Sequence, residues 1–340
     1  MEGIFWPSEW HFLTEALSGF RGTVLVFAPG DRGKSTLVRL LYTLFLEKGR
    51  RVGWIDADLG QSTIGPPTTV GLLMSRGKEA TFEERLFTPH FRFVGDTTPE
   101  REIVATACYT ADLVHLALSR CDVVLLDTCG LFSYPAGYLL KMLQMRLAHP
   151  EMVLAIGEKE EFALWRRFLG DRLLLLPIPE KAAEKRCEFR RGYRRQLFAR
   201  YFSRGKLLTF PLDALRFSLP CYPYFFEPCF SEEGGVISFS VRGERLQLSS
   251  EGSTLFLEAR RQEVFLPGML CGIFSANGKE LGLGILKGVD LPGKTLTVWG
   301  VLVNPEKPAI VVPGNLRVDE SGEERGRCVL FPSPLSPQKW

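Results

Sequence analysis

The chain has 340 residues, 45 % apolar and 24 % charged, a globular composition long enough for two domains. No window of about 18 apolar residues exists, and no basic-then-apolar leader opens the chain, so the expectation is a reducing cytoplasm and no membrane partner. Net charge is only +3, yet residues 181–206 carry net +8 and leave −5 on the rest, which excludes a uniformly basic nucleic-acid coat and points to a local anionic ligand.

The eight cysteines form no C-x-x-C pair and lie mostly in apolar runs. They are expected as buried, reduced thiols rather than disulfides or a zinc site. The four histidines form no motif, and His115, in an apolar helical stretch, reads as a core residue.

Residues 1–20 read as a short helical extension, with Ser8 as N-cap and Trp10, Leu13, Ala16 and Leu17 along one stripe. The apolar run Thr23–Phe27 follows, then Ala28-Pro29-Gly30-Asp31-Arg32-Gly33-Lys34-Ser35-Thr36, then an apolar helical stretch from Leu37. Strand, glycine-bearing loop and helix in that order make a phosphate-binding loop: backbone N–H groups converge on anionic oxygens. Residues 30–36 are the expected nucleotide contacts. Lys34 reaches the β- and γ-phosphates, and the Ser35 hydroxyl takes Mg²⁺. The usual pattern has Gly where Ala28 stands; Ala fits there if its φ is negative.

A βα alternation runs on from this loop. Strands are expected at 23–28, 52–57, 91–94, 122–127, 152–156 and 172–176, and helices at 36–48, 100–119, 135–148 and 159–169. Apolar strands such as Val123–Leu126 indicate a parallel sheet covered on both faces. The expected fold is α/β, a P-loop NTPase with a doubly wound parallel sheet over residues 21–205, whose ligand sits at the carboxyl ends of its strands.

Two such ends carry carboxylates. The second strand ends in Asp56-Ala-Asp58-Leu-Gly-Gln61, followed by Gly65-Pro-Pro. Aspartates at i and i+2 point the same way; beside a phosphate loop, one can sit by the metal or take a proton from an attacking hydroxyl. The alternative is a turn cap, a common use of Asp. Asp122-Val-Val-Leu-Leu-Asp127 is a Walker-B-like strand, with Asp127 near Mg²⁺ directly or through water.

The basic segment, about 181–204, places Arg186, Arg190 and Arg194 on one helical face, with Arg191 and Arg195 beside them. Like charges at i, i+4 disfavour their own helix. Cations over a γ-phosphate are what phosphoryl transfer requires; the alternative is a solvated basic face. From 206 to 330, short β-rich runs punctuated by Gly/Pro/Asn turns predict an appended all-β domain, sandwich or barrel-like. Residues 331–340 read as a frayed Pro/Ser-rich tail.

Asp56-Ala-Asp58-Leu-Gly-Gln61 with Gly65-Pro-Pro, Asp127-Thr-Cys-Gly130, Phe93-Val-Gly-Asp-Thr-Thr-Pro99, Phe189-Arg190-Arg191 through Arg194 with Tyr201-Phe202, and Leu281–Asp290 resemble the polynucleotide 5′-hydroxyl kinase family. That family includes the pre-mRNA cleavage and tRNA-splicing kinase of eukaryotes, the rRNA-processing kinases and archaeal relatives. With its phosphate loop at residue 28, the chain looks like a short, bacterial or archaeal form without the N-terminal β domain of the eukaryotic members. The resemblance implies Asp58 as general base on the 5′-OH, with Asp56 as its partner. It implies Arg190 and Arg194 as lid arginines, with Lys185 or Arg186 ahead of them. Gln61, Thr68, Thr69, Thr97, Arg191 and Arg195 fall on the substrate or lid side.

The expected function is transfer of the γ-phosphate of ATP, or another NTP, with Mg²⁺ to 5′-OH ends of RNA and/or DNA. The alternatives are an RNA-processing scaffold in which ATP is structural, and a small-molecule P-loop kinase. A GTPase is disfavoured because no Asn/Thr-Lys-x-Asp segment occurs.

Overall fold

The computed structural model describes residues 6–75, 77–180, 187–211, 266–290 and 292–328 with their side chains, and strand backbone only between 212 and 265. Lys185, Arg186 and the tail at 331–340 lie outside the described residues. The chain divides into two compact units, 1–92 with 98–191, and 93–97 with 192–340. The division falls at 191/192 and hands residues 93–97 to the second unit.

The first unit opens with a one-turn 3-10 helix, Ser8–Trp10, and then α1 (Leu13–Ala16), not one continuous helix. Ser8 does not cap it: Pro7 holds that position, and the Ser8 hydroxyl donates to the Glu9 carboxylate. Trp10, Leu13 and Leu17 are fully buried, whereas Ala16 is exposed. The first three join the core formed by the central strands and the helix after the phosphate loop.

The sheet is built from β1 (Gly22–Phe27), β2 (Val52–Ala57), β3 (Thr69–Met74), β4 (His90–Phe93), β5 (Val123–Thr128), β6 (Met152–Ile156) and β7 (Leu173–Leu176). Their order is β4-β3-β2-β5-β1-β6-β7. The pairs β2–β5, β5–β1, β1–β6 and β6–β7 are parallel. The helices are α2 (Lys34–Glu47), the short α3 (Phe82–Leu86), α4 (Ile103–Leu118), α5 (Ala136–Ala148) and α6 (Ala163–Leu169). Val24 to Phe27 are fully buried, as an apolar central strand covered on both faces must be.

Strand β3 is the element the sequence pattern did not reveal. It runs antiparallel to β2, with Gly71 opposite Asp56. Gly65 at φ 79 and Thr68 at φ 73 turn the chain back. A side chain at 71 could not be accommodated, because its Cβ would lie 2.1 Å from the Ile64 carbonyl oxygen. The loop leaving β2 is thus folded over the start of β3.

The second unit contains the C-terminal half of α7 (Cys187–Phe202) and two β-sheets. One sheet runs Tyr222–Phe226, Arg216–Leu219, Pro308–Val318, Met269–Ser275, Glu280–Asp290, Thr295–Leu302, Lys206–Pro211, with Glu324–Arg327 added beside Pro308–Val318. The other runs from Cys229–Phe230 to Gln262–Phe265 in chain order. Pairing is antiparallel except between Arg216–Leu219 and Pro308–Val318. The Tyr201 hydroxyl accepts from the Leu283 N–H at 3.2 Å, and Phe198, Tyr201 and Phe202 are buried with it. These aromatics anchor the helix in the β unit.

Phe93–Thr97 is held in the same unit at close quarters. A Cβ on Gly95 would lie 2.8 Å from Gly314 Cα, and the Asn315 N–H donates to the Gly95 carbonyl at 2.8 Å. Two expectations are corrected. Cys108 and Cys187 are exposed, although Cys129 and Cys271 are buried free thiols. His115 is exposed on α4 rather than in the core. No helix among the described residues is long and apolar enough to cross a membrane.

Candidate active site

The phosphate loop lies between the carboxyl end of β1 and the start of α2. Gly33, at φ 87, is the last residue before the helix, and Asp31 is also left-handed at φ 61. Gly33 is required twice over: its φ suits glycine, and a Cβ there would sit 3.1 Å from the Trp10 ring. Trp10 is itself fixed by a 2.9 Å bond from its indole N–H to the Pro177 carbonyl. The Lys34 ammonium donates to the Pro29 carbonyl at 2.8 Å, so it arches back over the loop. Gly30, Ser35 and Thr36 are exposed. Burial pushes the Lys34 pKa down, opposed by the negative charge of Asp127.

The two aspartates after β2 have separate tasks. Asp56 is buried; one carboxylate oxygen accepts from the Asp58 N–H at 2.9 Å, and the other from the Thr63 and Ile64 N–H groups. It ties residues 58–64 into a closed loop. Asp58 is half-exposed, and its Oδ1 accepts from the Gly60 and Gln61 N–H groups at 3.0 and 2.9 Å. Its Oδ2 receives no hydrogen bond from the described residues. A carboxylate held by one oxygen and open at the other can accept a proton or coordinate a cation.

Asp127 stands next to Asp56 in register, at the end of β5. It is 1 % exposed, and neither carboxylate oxygen has a hydrogen-bond partner at ordinary geometry. Burial raises its pKa to about 6, while the Ser35 hydroxyl and the Lys34 charge draw it down. Asp56 is raised as well, by burial and then by the charge of Asp127. A bare buried carboxylate beside an exposed hydroxyl suits a hard cation, which takes oxygen ligands. The residues present therefore fit Mg²⁺. Gly130 closes this side, since a Cβ on it would lie 2.9 Å from Gly30 Cα.

The arginines divide between the units. Arg190 pairs with Asp31 of the phosphate loop at 2.6 Å. Arg194 pairs with Glu324 at 2.5 Å and Arg195 with Glu323 at 3.3 Å, both within the β unit. Arg191 is exposed on the same helix. Arg32 is paired with Glu161 at 3.2 Å. Gln61 contributes its N–H to Asp58.

Of the three threonines expected toward the substrate, Thr69 and Thr97 are hydrogen-bonded within the protein, and the Thr68 hydroxyl is buried without a partner among the described residues. Thr68 and Thr69 are fully buried, and the Thr69 hydroxyl donates to the Pro66 carbonyl at 2.7 Å. They pack the turn that leads into β3 and offer no surface to a substrate end. Thr97 belongs to the β unit, where its hydroxyl accepts from Arg327 at 2.8 Å. The sequence pattern assigns no site role to Trp10, Gly130 or Lys141. Lys141 had a signal: with Gln144, it interrupts the otherwise apolar buried stripe of α5.

Residues 28–204 match a family model described as "mRNA cleavage and polyadenylation factor CLP1 P-loop". The chain is 28 % identical over 325 residues to a polyribonucleotide 5′-hydroxyl-kinase of Pyrococcus abyssi, covering 89 % of each chain. It is 33 % identical over 331 residues to the polyribonucleotide 5′-hydroxyl-kinase Clp1 of Xenopus tropicalis, covering 88 % of this chain and 71 % of that one. A solved structure of the interface between Pcf11p and Clp1p superimposes with a TM-score of 0.61 at 14 % identity, over 90 % of this chain and 78 % of that one, a likeness of fold. The chain belongs to the CLP1 P-loop family.

Proposed function

We propose that this chain is an ATP-dependent polynucleotide 5′-hydroxyl kinase that acts on RNA ends, and on DNA ends where they are offered. The observation that carries the reading is the convergence of Lys34, Asp58 and the bare Asp127 at the carboxyl ends of neighbouring strands beside an intact phosphate loop. The names of the relatives from Pyrococcus and Xenopus support the acceptor class.

Lys34 and the amides of residues 30–36 hold the β- and γ-phosphates. Ser35 and Asp127 are the residues that would hold Mg²⁺, which neutralises charge on the phosphate oxygens when bound. Asp58 accepts the proton of the 5′-hydroxyl through its open oxygen, and the Gly60 and Gln61 amides keep it aimed. Asp56 holds the loop on which Asp58 rides. Arg190, already at the loop through Asp31, offers a cation for the charge of the transferring group. Arg194 carries the same role on the motif alone.

The test is transfer of the γ-phosphate from ATP with Mg²⁺ to a short 5′-OH RNA, in competition with the matching DNA and with free nucleosides. Phosphorylated RNA supports the proposal. Transfer only to nucleosides replaces it with a small-molecule kinase, and bound ATP that survives intact replaces it with a nucleotide-stabilised scaffold.

A further inference from the structure

Lys141 lies on α5 with none of its surface exposed. Its ammonium donates to the Cys129 carbonyl at 2.9 Å and lies 3.5 Å from the Cys129 sulfur. No carboxylate among the described residues is within ion-pair distance of it. A buried ammonium in that position is costly, and an apolar side chain of similar volume commonly serves packing as well or better. Packing alone therefore does not account for a lysine here.

Its hydrogen bond does. The Cys129 carbonyl belongs to the peptide that bears the Gly130 N–H, so fixing the carbonyl fixes the orientation of that peptide plane. Gly130 abuts the phosphate loop: a Cβ on it would lie 2.9 Å from Gly30 Cα, 3.1 Å from Gly30 N and 3.7 Å from the Lys34 ammonium. Asp127 is two residues upstream of Cys129, at the end of β5. The positive charge of Lys141 also reaches the site, adding to the downward push on Lys34 and drawing Asp127 down.

We infer that Lys141 is a positioning residue of the nucleotide site. It clamps the Cys129–Gly130 peptide against Gly30 and so sets the spacing between the phosphate loop and the strand end that carries Asp127. The effect on turnover rests on the kinase reading above; the effect on the loop and on ATP binding does not.

The variant Lys141→Met in the full chain tests this. Its dissociation constant for ATP should rise by about tenfold and kcat should fall by as much as ~10²-fold, the scale expected when reacting groups are misplaced by about an ångström. KM for the 5′-OH RNA should stay within about twofold, since no acceptor contact is altered. Amide exchange should quicken in residues 28–34 and 128–131 and nowhere else, while Tm is unchanged or higher. Wild-type ATP affinity in the folded variant overturns the inference. So does a variant that fails to fold or loosens throughout, because the lysine would then serve the fold and not the site. If the wild type transfers no phosphate, the kinase reading fails, and the ATP and exchange comparisons still judge Lys141.

Discussion

Two strand ends lie side by side in the first unit and treat their carboxylates in opposite ways. At the end of β2, Asp56 is saturated with three backbone N–H donors. At the end of β5, its register partner Asp127 has none. Both are buried and both are raised in pKa. Burial and a shifted pKa therefore do not by themselves mark a functional carboxylate; the hydrogen bonds decide. Saturated oxygens build the loop that aims Asp58, and bare ones are left for a ligand.

Asp127→Asn strikes the bare side of this pair. Phosphate transfer should fall on the order of 10³-fold, the loss of several kcal/mol of metal-assisted charge stabilisation. The folded protein without ligands should be at least as stable as wild type. Wild-type turnover in this variant would break the comparison.

Asp56→Ala strikes the saturated side. Three backbone donors lose their acceptor, at about 1–3 kcal/mol for each that stays buried. Urea unfolding should show a large fall in the midpoint, and transfer should fall with it because the Asp58 loop is released. A stable, inactive variant would instead place Asp56 in the chemistry.

Gly71→Ala sharpens the same point from the neighbouring strand. The new methyl group meets the Ile64 carbonyl, and overpacking of this kind costs about 1–3 kcal/mol. A melting temperature equal to wild type would show that the loop is not seated on β3.

The smallest effect is on pH. In the folded chain, Asp127 keeps its proton up to about pH 6, whereas the unfolded carboxyl loses it near pH ~4. Across that window the folded state binds more protons, so stability without ligands falls as pH rises and then levels off. Thermal melts between about pH 4 and 7 should show this slope, reduced in Asp127→Asn.

The sheet and the phosphate loop were legible because apolar strands, a Gly-Lys-Ser-Thr turn and an amphipathic helix are local signals. Asp56 and Asp127 stand out in the sequence because each ends an apolar run, and Asp58 because it follows two residues after Asp56 in a motif similar to the family's. Strand β3 was not legible, since its place depends on Gly71 admitting a carbonyl from a loop seven residues earlier. The residue pattern by itself leaves Asp56 and Asp58 equivalent, because what separates them is which backbone amides reach each oxygen. The Thr68–Thr69 pair was misjudged for a related reason: a left-handed turn buries both hydroxyls. Arg190 and Arg194 look equivalent at i, i+4, yet one meets Asp31 and the other Glu324.

The most direct measurement is the single-turnover rate of γ-phosphate transfer to a 5′-OH RNA by wild type and by Asp58→Asn, each at saturating ATP and Mg²⁺. The account predicts a loss of about 10²–10⁴-fold, the range for a general base, with ATP affinity and melting temperature held near wild type. An Asp58→Asn protein that transfers phosphate at the wild-type rate would contradict it.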